Sequence, residues 1–246
     1  MIVSSVQRKF CLMLIVLIIF QCNVLAQKID KSKLDKAAQR SDYAAEVLTT
    51  TLNLRGDTIP LELLTKAKAV GVFPDFDRIS FVMPKTRLSY GVISSRLQNG
   101  WSSPAYYGFG FIELENLRAK GSKKPDMIVL FMNDNAVERF QKGRVVLKDE
   151  MAGVAGPVGG LTPKIKDEIS AANVIVYTII DGKVSGLTVN AKSSEGGIIN
   201  PDNNINEAIY GSKAQDVLSG KASINSSVLD SVSGYSNALT NLLNQK

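Results

Sequence analysis

The sequence predicts an α+β fold, a mostly antiparallel β-sheet core with an N-terminal amphipathic helix and short C-terminal helices. Three observations carry that reading. A stretch of helical period fills Lys31 to Leu54. Apolar runs of strand length recur through the middle of the chain, at Ala69 to Phe73, Met127 to Met132 and Asn173 to Ile180. Two tight-turn signals, Asn99-Gly100 and Asp181-Gly182, join neighbouring runs as antiparallel hairpins.

The first helix follows from spacing. Leu34, Ala38, Ala45, Leu48 and Leu52 recur at steps of three, four and seven, with Ala37 and Ser41 filling the same stripe. Lys31, Lys33, Lys36 and Arg40 crowd its first half. The stripe is rich in alanine, so on a membrane this helix inserts only shallowly. After a turn at Gly56-Asp57-Thr58, Pro60 suits the first turn of a short helix through about Lys68. Ala69 to Phe73 reads as a buried strand stopped by Pro74. Arg78 to Met83 and Leu88 to Leu97 read as strands, and the Asn99-Gly100 turn leads into another that begins at Trp101. Tyr106 to Leu117 alternates larger and smaller residues, and Lys120 to Pro125 is a basic turn.

Met127 to Met132 reads as a central strand. Asn133 or Asn135 is placed to cap the helix that ends near Gln141, and Asn135 with Glu138 forms a capping-box pattern. Val145 to Leu147 is short; Asp181-Gly182 turns the Asn173–Ile180 strand into Val184 to Ala191. Pro201 to Ile209 and Lys213 to Leu218 read as short helices, the second stopped by Gly220. Residues 221–246 form a Ser/Asn-rich tail in which Val228, Leu229, Val232, Leu239, Leu242 and Leu243 allow a weak amphipathic helix.

The ends bound the compartment. Arg8 and Lys9, the apolar run Phe10 to Phe20 and Val24-Leu25-Ala26 have the form of a signal peptide cleaved after Ala26. Cys22 after an apolar run admits lipidation, which Phe20 and Gln21 disfavour. The reading is an exported protein of the periplasm or cell envelope. Both cysteines, Cys11 and Cys22, fall in that leader, so the domain holds itself together without disulfides. The chain carries +6, of which Arg8 and Lys9 supply two, leaving a mildly basic +4. That suits an anionic membrane surface. It is too sparse, with too few interleaved aromatics, for nucleic acid.

The chain has no histidine. Ser-His-Asp and Cys-His catalysis are therefore excluded, and the commonest metal ligand is missing. No G-x-S-x-G, H-E-x-x-H or Walker A pattern is present. Glu113 and Glu115 fall on one face of an expected strand, where a charged edge is the ordinary reading. No enzyme activity, cofactor or metal is expected.

Seven islands remain: Ile59-Pro60 with Leu63-Leu64, Val72-Phe73-Pro74, Gly100 to Ala105, Asp126 to Phe140, Gly156 to Gly159, Tyr177 to Leu187, and Tyr210-Gly211 to Gly220. Their order and spacing resemble the SYLF domain, also called the Ysc84 or Las17-binding family, over residues 27–220. The resemblance implies a lipid-binding module that recognises anionic phospholipid headgroups. It implies actin binding only for fungal relatives, and actin is an unlikely partner behind a signal peptide; an envelope protein is the alternative partner. Trp101, Ser102 and Pro104 match the family's W-S-x-P segment, and Gly156, Pro157 and Gly159 its G-P-V-G loop. Trp101, the sole tryptophan, is expected to be a core anchor before it is a contact, and the G-P-V-G loop a structural turn before it is a phosphate cradle. The glycine-rich stretch usual between V-F-P and the tryptophan is replaced by Arg78 to Arg87, without glycine. The expected headgroup contacts are Lys31, Lys33, Lys36 and Arg40 on the first helix, with Arg78, Lys85 and Arg87 as substitutes for the missing glycines.

Overall fold

The structure, a computed structural model, describes residues 30–54, 58–75, 77–79, 86–112, 125–146, 158–159, 172–187, 197–222 and 226–244. The expected leader, Lys85, Glu113, Glu115, Gly156 and Pro157 lie outside these residues.

Helix α1 (Lys31–Leu52) leads through α2 (Leu61–Lys66) into strands β1 (Ala69–Phe73), β2 (Asp77–Ile79), β3 (Thr86–Leu97), β4 (Gly100–Trp101), β5 (Ala105–Ile112) and β6 (Asp126–Phe131). Helix α3 (Asp134–Gln141), β7 (Val145–Val146), β8 (Val174–Ile180), β9 (Lys183–Leu187) and β10 (Gly197–Pro201) follow. The chain then runs through α4 (Asn203–Tyr210), α5 (Ala214–Leu218), α6 (Ser226–Val232) and α7 (Gly234–Asn244). The strands order as β7-β10-β5-β3-β1-β6-β8-β9, with β2 and β4 also paired to β3. Every described ladder is antiparallel, so the α+β class with an antiparallel sheet is the observed one.

The register sorts residues onto two faces. Tyr106 lies on one, with Val72 and Val92, and Tyr210 of α4 stacks on it at 6.2 Å. Tyr107, Phe109 and Phe131 lie on the other, where Phe140 of α3 packs at 5.8 Å from Tyr107 and 4.4 Å from Phe131. All of these side chains are buried, and burial of each such ring contributes roughly 2–3 kcal/mol.

Local signals explain most boundaries. Asn133 caps α3, its side chain accepting from the Ala136 N–H at 2.9 Å; Asn135 is instead inside the helix, its Oδ1 accepting from Arg139 at 3.3 Å. Asp181 (φ 50) and Gly182 (φ 73) both take positive φ, the two-residue turn that Asp-Gly favours.

Three expectations are corrected. Of the expected α1 stripe, Ala37, Ser41 and Leu48 are buried, joined by Ala44 and Thr51, whereas Leu34, Ala38, Ala45 and Leu52 are only half-buried. Ser41 is in the core because its hydroxyl donates to Val232 O (2.6 Å) and accepts from the Tyr235 N–H (3.1 Å). The tail after residue 220 is part of the domain. Helices α6 and α7 pack on α1, burying Val228, Val232, Tyr235 and Leu239, and the Tyr235 hydroxyl donates to Val70 O at 3.0 Å. Lastly, β10 begins before the expected helix. Pro201 ends it, and Asp202 caps α4 by accepting from the Ile205 N–H.

Candidate functional site

The basic residues expected to meet a membrane divide into two groups. In α1, Arg40 is spent inside the protein: its guanidinium pairs with Asp202 at 2.8 Å and lies 4.7 Å from the centroid of the Tyr90 ring. Lys33 donates to Asn204 Oδ1 at 2.7 Å. Lys31 and Lys36 are exposed, but Asp30, Asp35, Asp42 and Glu46 are interspersed with the four bases. The outer face of α1 therefore carries mixed charge. Its largest apolar group is Tyr43, about half exposed.

The second group is built by a break in the sheet. Strand β1 pairs with β3 in a register that places Val72 opposite Val92, whereas β2 places Asp77 opposite Leu88. Four residues, 73–76, thus face three on β3, and the extra one makes a β-bulge. Asp75 takes φ 49 there. Its N–H, left out of the ladder, donates to Asp126 Oδ1 at 2.9 Å, and Ser89 Oγ donates to Pro74 O. Beyond the bulge, β2 takes over from β1 along the same edge of β3, whose other edge stays paired with β5, and Arg78 and Arg87 occupy directly opposed positions in the β2–β3 ladder. Lys85 lies outside the described residues.

The W-S-x-P segment closes the neighbouring hairpin. Trp101 is half-buried, which corrects the expectation of a core anchor. Its register partner Arg96 lays the guanidinium 4.4 Å from the ring centroid. The same guanidinium donates to Ala67 O (3.0 Å), Leu64 O (3.2 Å) and Thr65 O (3.1 Å), the carbonyls at the C-terminal end of α2. Burial lowers the Arg96 pKa from its ordinary value. Ser102 Oγ accepts from the Ser95 N–H at 3.0 Å and donates to Ser103 O, and Pro104 O accepts from the Tyr210 hydroxyl at 2.8 Å. These three residues act on the fold. Since Trp101 binds a guanidinium rather than filling the core, Trp101→Ala is expected to cost about 1–2 kcal/mol, read as a shift in the denaturation midpoint at unchanged m.

In the G-P-V-G loop, Gly159 has φ 78 and donates its N–H to Thr58 O at 2.9 Å, a tie to the segment before α2, so that N–H is not a free phosphate donor. The phenols of Tyr106, Tyr107, Tyr177, Tyr210 and Tyr235 are pushed above their ordinary range by burial and stay protonated near neutrality. No metal-binding group of three acids or cysteines occurs among the described residues, and no described helix is long and apolar enough to cross a membrane.

Sequence reasoning missed Arg96, Asp202 and Asn206. The first was within reach, because an Asn99-Gly100 hairpin pairs residue 96 with residue 101. Asp202 caps α4 in the manner of an ordinary N-cap aspartate, but its ion pair with Arg40 and the bonds of Asn206 to the Tyr106 backbone join distant segments and leave no pattern in sequence.

No curated protein matches the chain. The family model Ysc84, described as Las17-binding protein actin regulator, matches residues 119–243. That span runs from the approach to β6 through α3, the β8–β9 hairpin and the C-terminal helices, and covers just over half of the 246 residues. The chain therefore belongs to the Ysc84, or SYLF-domain, family.

Proposed function

We propose that this domain is a non-enzymatic module that binds anionic phospholipid headgroups through the β2–β3 ladder, as an exported protein of the cell envelope. One observation carries the reading: beyond the bulge at Pro74-Asp75, Arg78 and Arg87 stand directly opposed in the β2–β3 ladder. Like charges directly across a ladder destabilise it unless an anion sits between them. A phosphate meets that need, and guanidinium groups match its geometry. The basic excess of the chain supports the same partner.

Lys31 and Lys36 contribute less in this reading, because acids surround them and Lys33 and Arg40 are engaged. The outer face of α1, with mixed charge and the half-exposed Tyr43, supports a second reading, a docking surface for an envelope protein.

Flotation with anionic and neutral vesicles tests the proposal. Each basic residue near an anionic surface contributes on the order of 1 kcal/mol. Reversing Arg78 and Arg87 to Glu should therefore weaken binding by about 30-fold or more. Reversing Lys31 and Lys36 should do far less, and added salt should weaken the wild type. Equal binding to neutral vesicles, or an Arg78/Arg87 variant that floats like the wild type, refutes the headgroup reading. No flotation on any vesicle favours the protein-docking one.

A further inference from the structure

Helices α6 and α7 are separated by Ser233 alone, and helical hydrogen bonds run up to the break and away from it. The Ser233 N–H donates to Leu229 O and the Asn237 N–H to Ser233 O, both at 2.9 Å. In an unbroken helix the Tyr235 N–H would reach Ser231 O, and the Ser236 N–H would reach Val232 O. Here the hydroxyl of Ser41, on α1, stands in the way. It accepts from the Tyr235 N–H at 3.1 Å and donates to Val232 O at 2.6 Å. A side chain inserted into the ladder in this manner bends a helix. No residue from 226 to 244 takes a positive φ, so nothing in the handedness of the backbone forbids an unbroken helix there.

We propose that residues 226–244 are one helix bent by Ser41, and that on straightening it docks its α7 half on α1 of a second copy of this chain, giving a swapped dimer. The docking surface is the face of α1 that α7 covers within one molecule. The occupant is the same α7 from the other copy, and continuity with that existing interface is what assigns it. The exchange keeps the contacts that matter. Tyr235 and Leu239 stay buried, and the Tyr235 hydroxyl keeps a Val70 O as its acceptor, now that of the second copy. The change is confined to the hinge: Ser41 gives up its two bonds, and the helix regains two of its own. Gly234 lets α7 start hard against α1, since a Cβ there would lie 2.7 Å from Asp42 Oδ1. A hinge this short is the kind that opens into swapped dimers. Straightened, the helix is about 28 Å long and carries α7 past its own α1. None of this rests on the headgroup reading.

The experiment uses the full chain without lipid. The protein is unfolded in urea, refolded at low and at high concentration, and sized by chromatography with light scattering. The dimer fraction should rise with refolding concentration and persist on dilution, because exchange back needs α7 to lift off. Ser41→Ala keeps the packing and removes the inserted hydroxyl; it should raise the dimer-to-monomer ratio roughly threefold to tenfold. Gly234→Pro places proline at the first position of α7, which a helix tolerates, and forbids an unbroken helix. It should suppress the dimer, also when combined with Ser41→Ala. Amide exchange on the isolated dimer should show Tyr235 and Ser236 better protected than in the monomer. Absence of a dimer in both the wild type and Ser41→Ala overturns the proposal. So does a Ser41→Ala ratio equal to that of the wild type, or a dimer that survives Gly234→Pro. A dimer that falls apart on dilution, with Tyr235 exchange unchanged, is a surface contact and overturns it as well. Vesicle flotation plays no part in the readout, so this result and the headgroup reading stand or fall separately.

Discussion

Replacing Gly91 by alanine should cost about 3 kcal/mol or more, the largest effect expected of any single methyl added to this domain. A Cβ at that position would lie 2.0 Å from the carbonyl oxygen of Val72 and 2.8 Å from Phe73 Cα. Both are backbone atoms of the central strand β1, which is paired on both edges. Neither can yield without moving two ladders. For a domain of this size the loss corresponds to a fall of about 6–12 °C in midpoint, measured by calorimetry or circular dichroism. Gly100→Ala is the matched control. Its Cβ meets nothing within 4 Å, but its φ of +128 is one that side chains rarely adopt. That variant should lose only about 1 kcal/mol. Equal losses at the two positions would show that conformational strain, and not the close approach of β1, governs Gly91.

The second large effect should come from Asn206. Its side chain is fully buried and serves as a strand partner for one residue of β5. Oδ1 accepts from the Tyr106 N–H at 2.8 Å, while Nδ2 donates to Tyr106 O at 2.9 Å and Asp202 O at 3.0 Å. Asn206→Leu keeps the volume and strands the buried Tyr106 N–H, at a cost of about 1–3 kcal/mol. Asn206→Asp should be worse, about 3–5 kcal/mol, since it aims a buried charge at two carbonyl oxygens. The aspartate variant should recover stability on acidification, as its carboxyl protonates and donates again. Urea melts of both variants across pH check this. If the leucine variant proves the weaker of the two at neutral pH, the hydrogen-bond account of Asn206 is wrong.

Most of the sheet was legible because its strands announce themselves. Met127 to Met132 and Asn173 to Ile180 are long apolar runs, and their register is anchored by turns of known type. Strand β10 was not, because Gly197-Ile198-Ile199-Asn200-Pro201 ends on a proline and resembles the approach to a helix. Its pairing with β5 comes from the tertiary structure. The buried line of α1 was legible only in part, Ala37, Ser41 and Leu48 being expected in it and Ala44 and Thr51 not, for a related reason. Hydrophobic counting favours Leu34 and Leu52, whereas packing against α7 selected small residues, and Gly234 there sits so close that a Cβ would lie 2.7 Å from Asp42 Oδ1. A serine whose hydroxyl bonds two backbone groups is a core residue that no hydropathy scale marks. Arg78 and Arg87 were legible as basic residues, but their opposition was not: it depends on the extra residue in the bulge.

The contacts that bind α7 to the front of the domain also set a timetable. Ser41 meets Tyr235 across 194 residues, and Tyr235 reaches back to Val70 across 165. At a synthesis rate of roughly 5–20 residues per second, α1 waits about 10–40 s for the partner that covers it. During that interval its buried face, Ala37, Ala44 and Leu48, has no native cover from α6 or α7, and the central strand lacks its tyrosine tie. Long-range closure of this kind slows folding and lengthens exposure to wrong partners. The nascent chain should therefore engage a holdase through its first helix, and release it only once residues 226–244 have emerged.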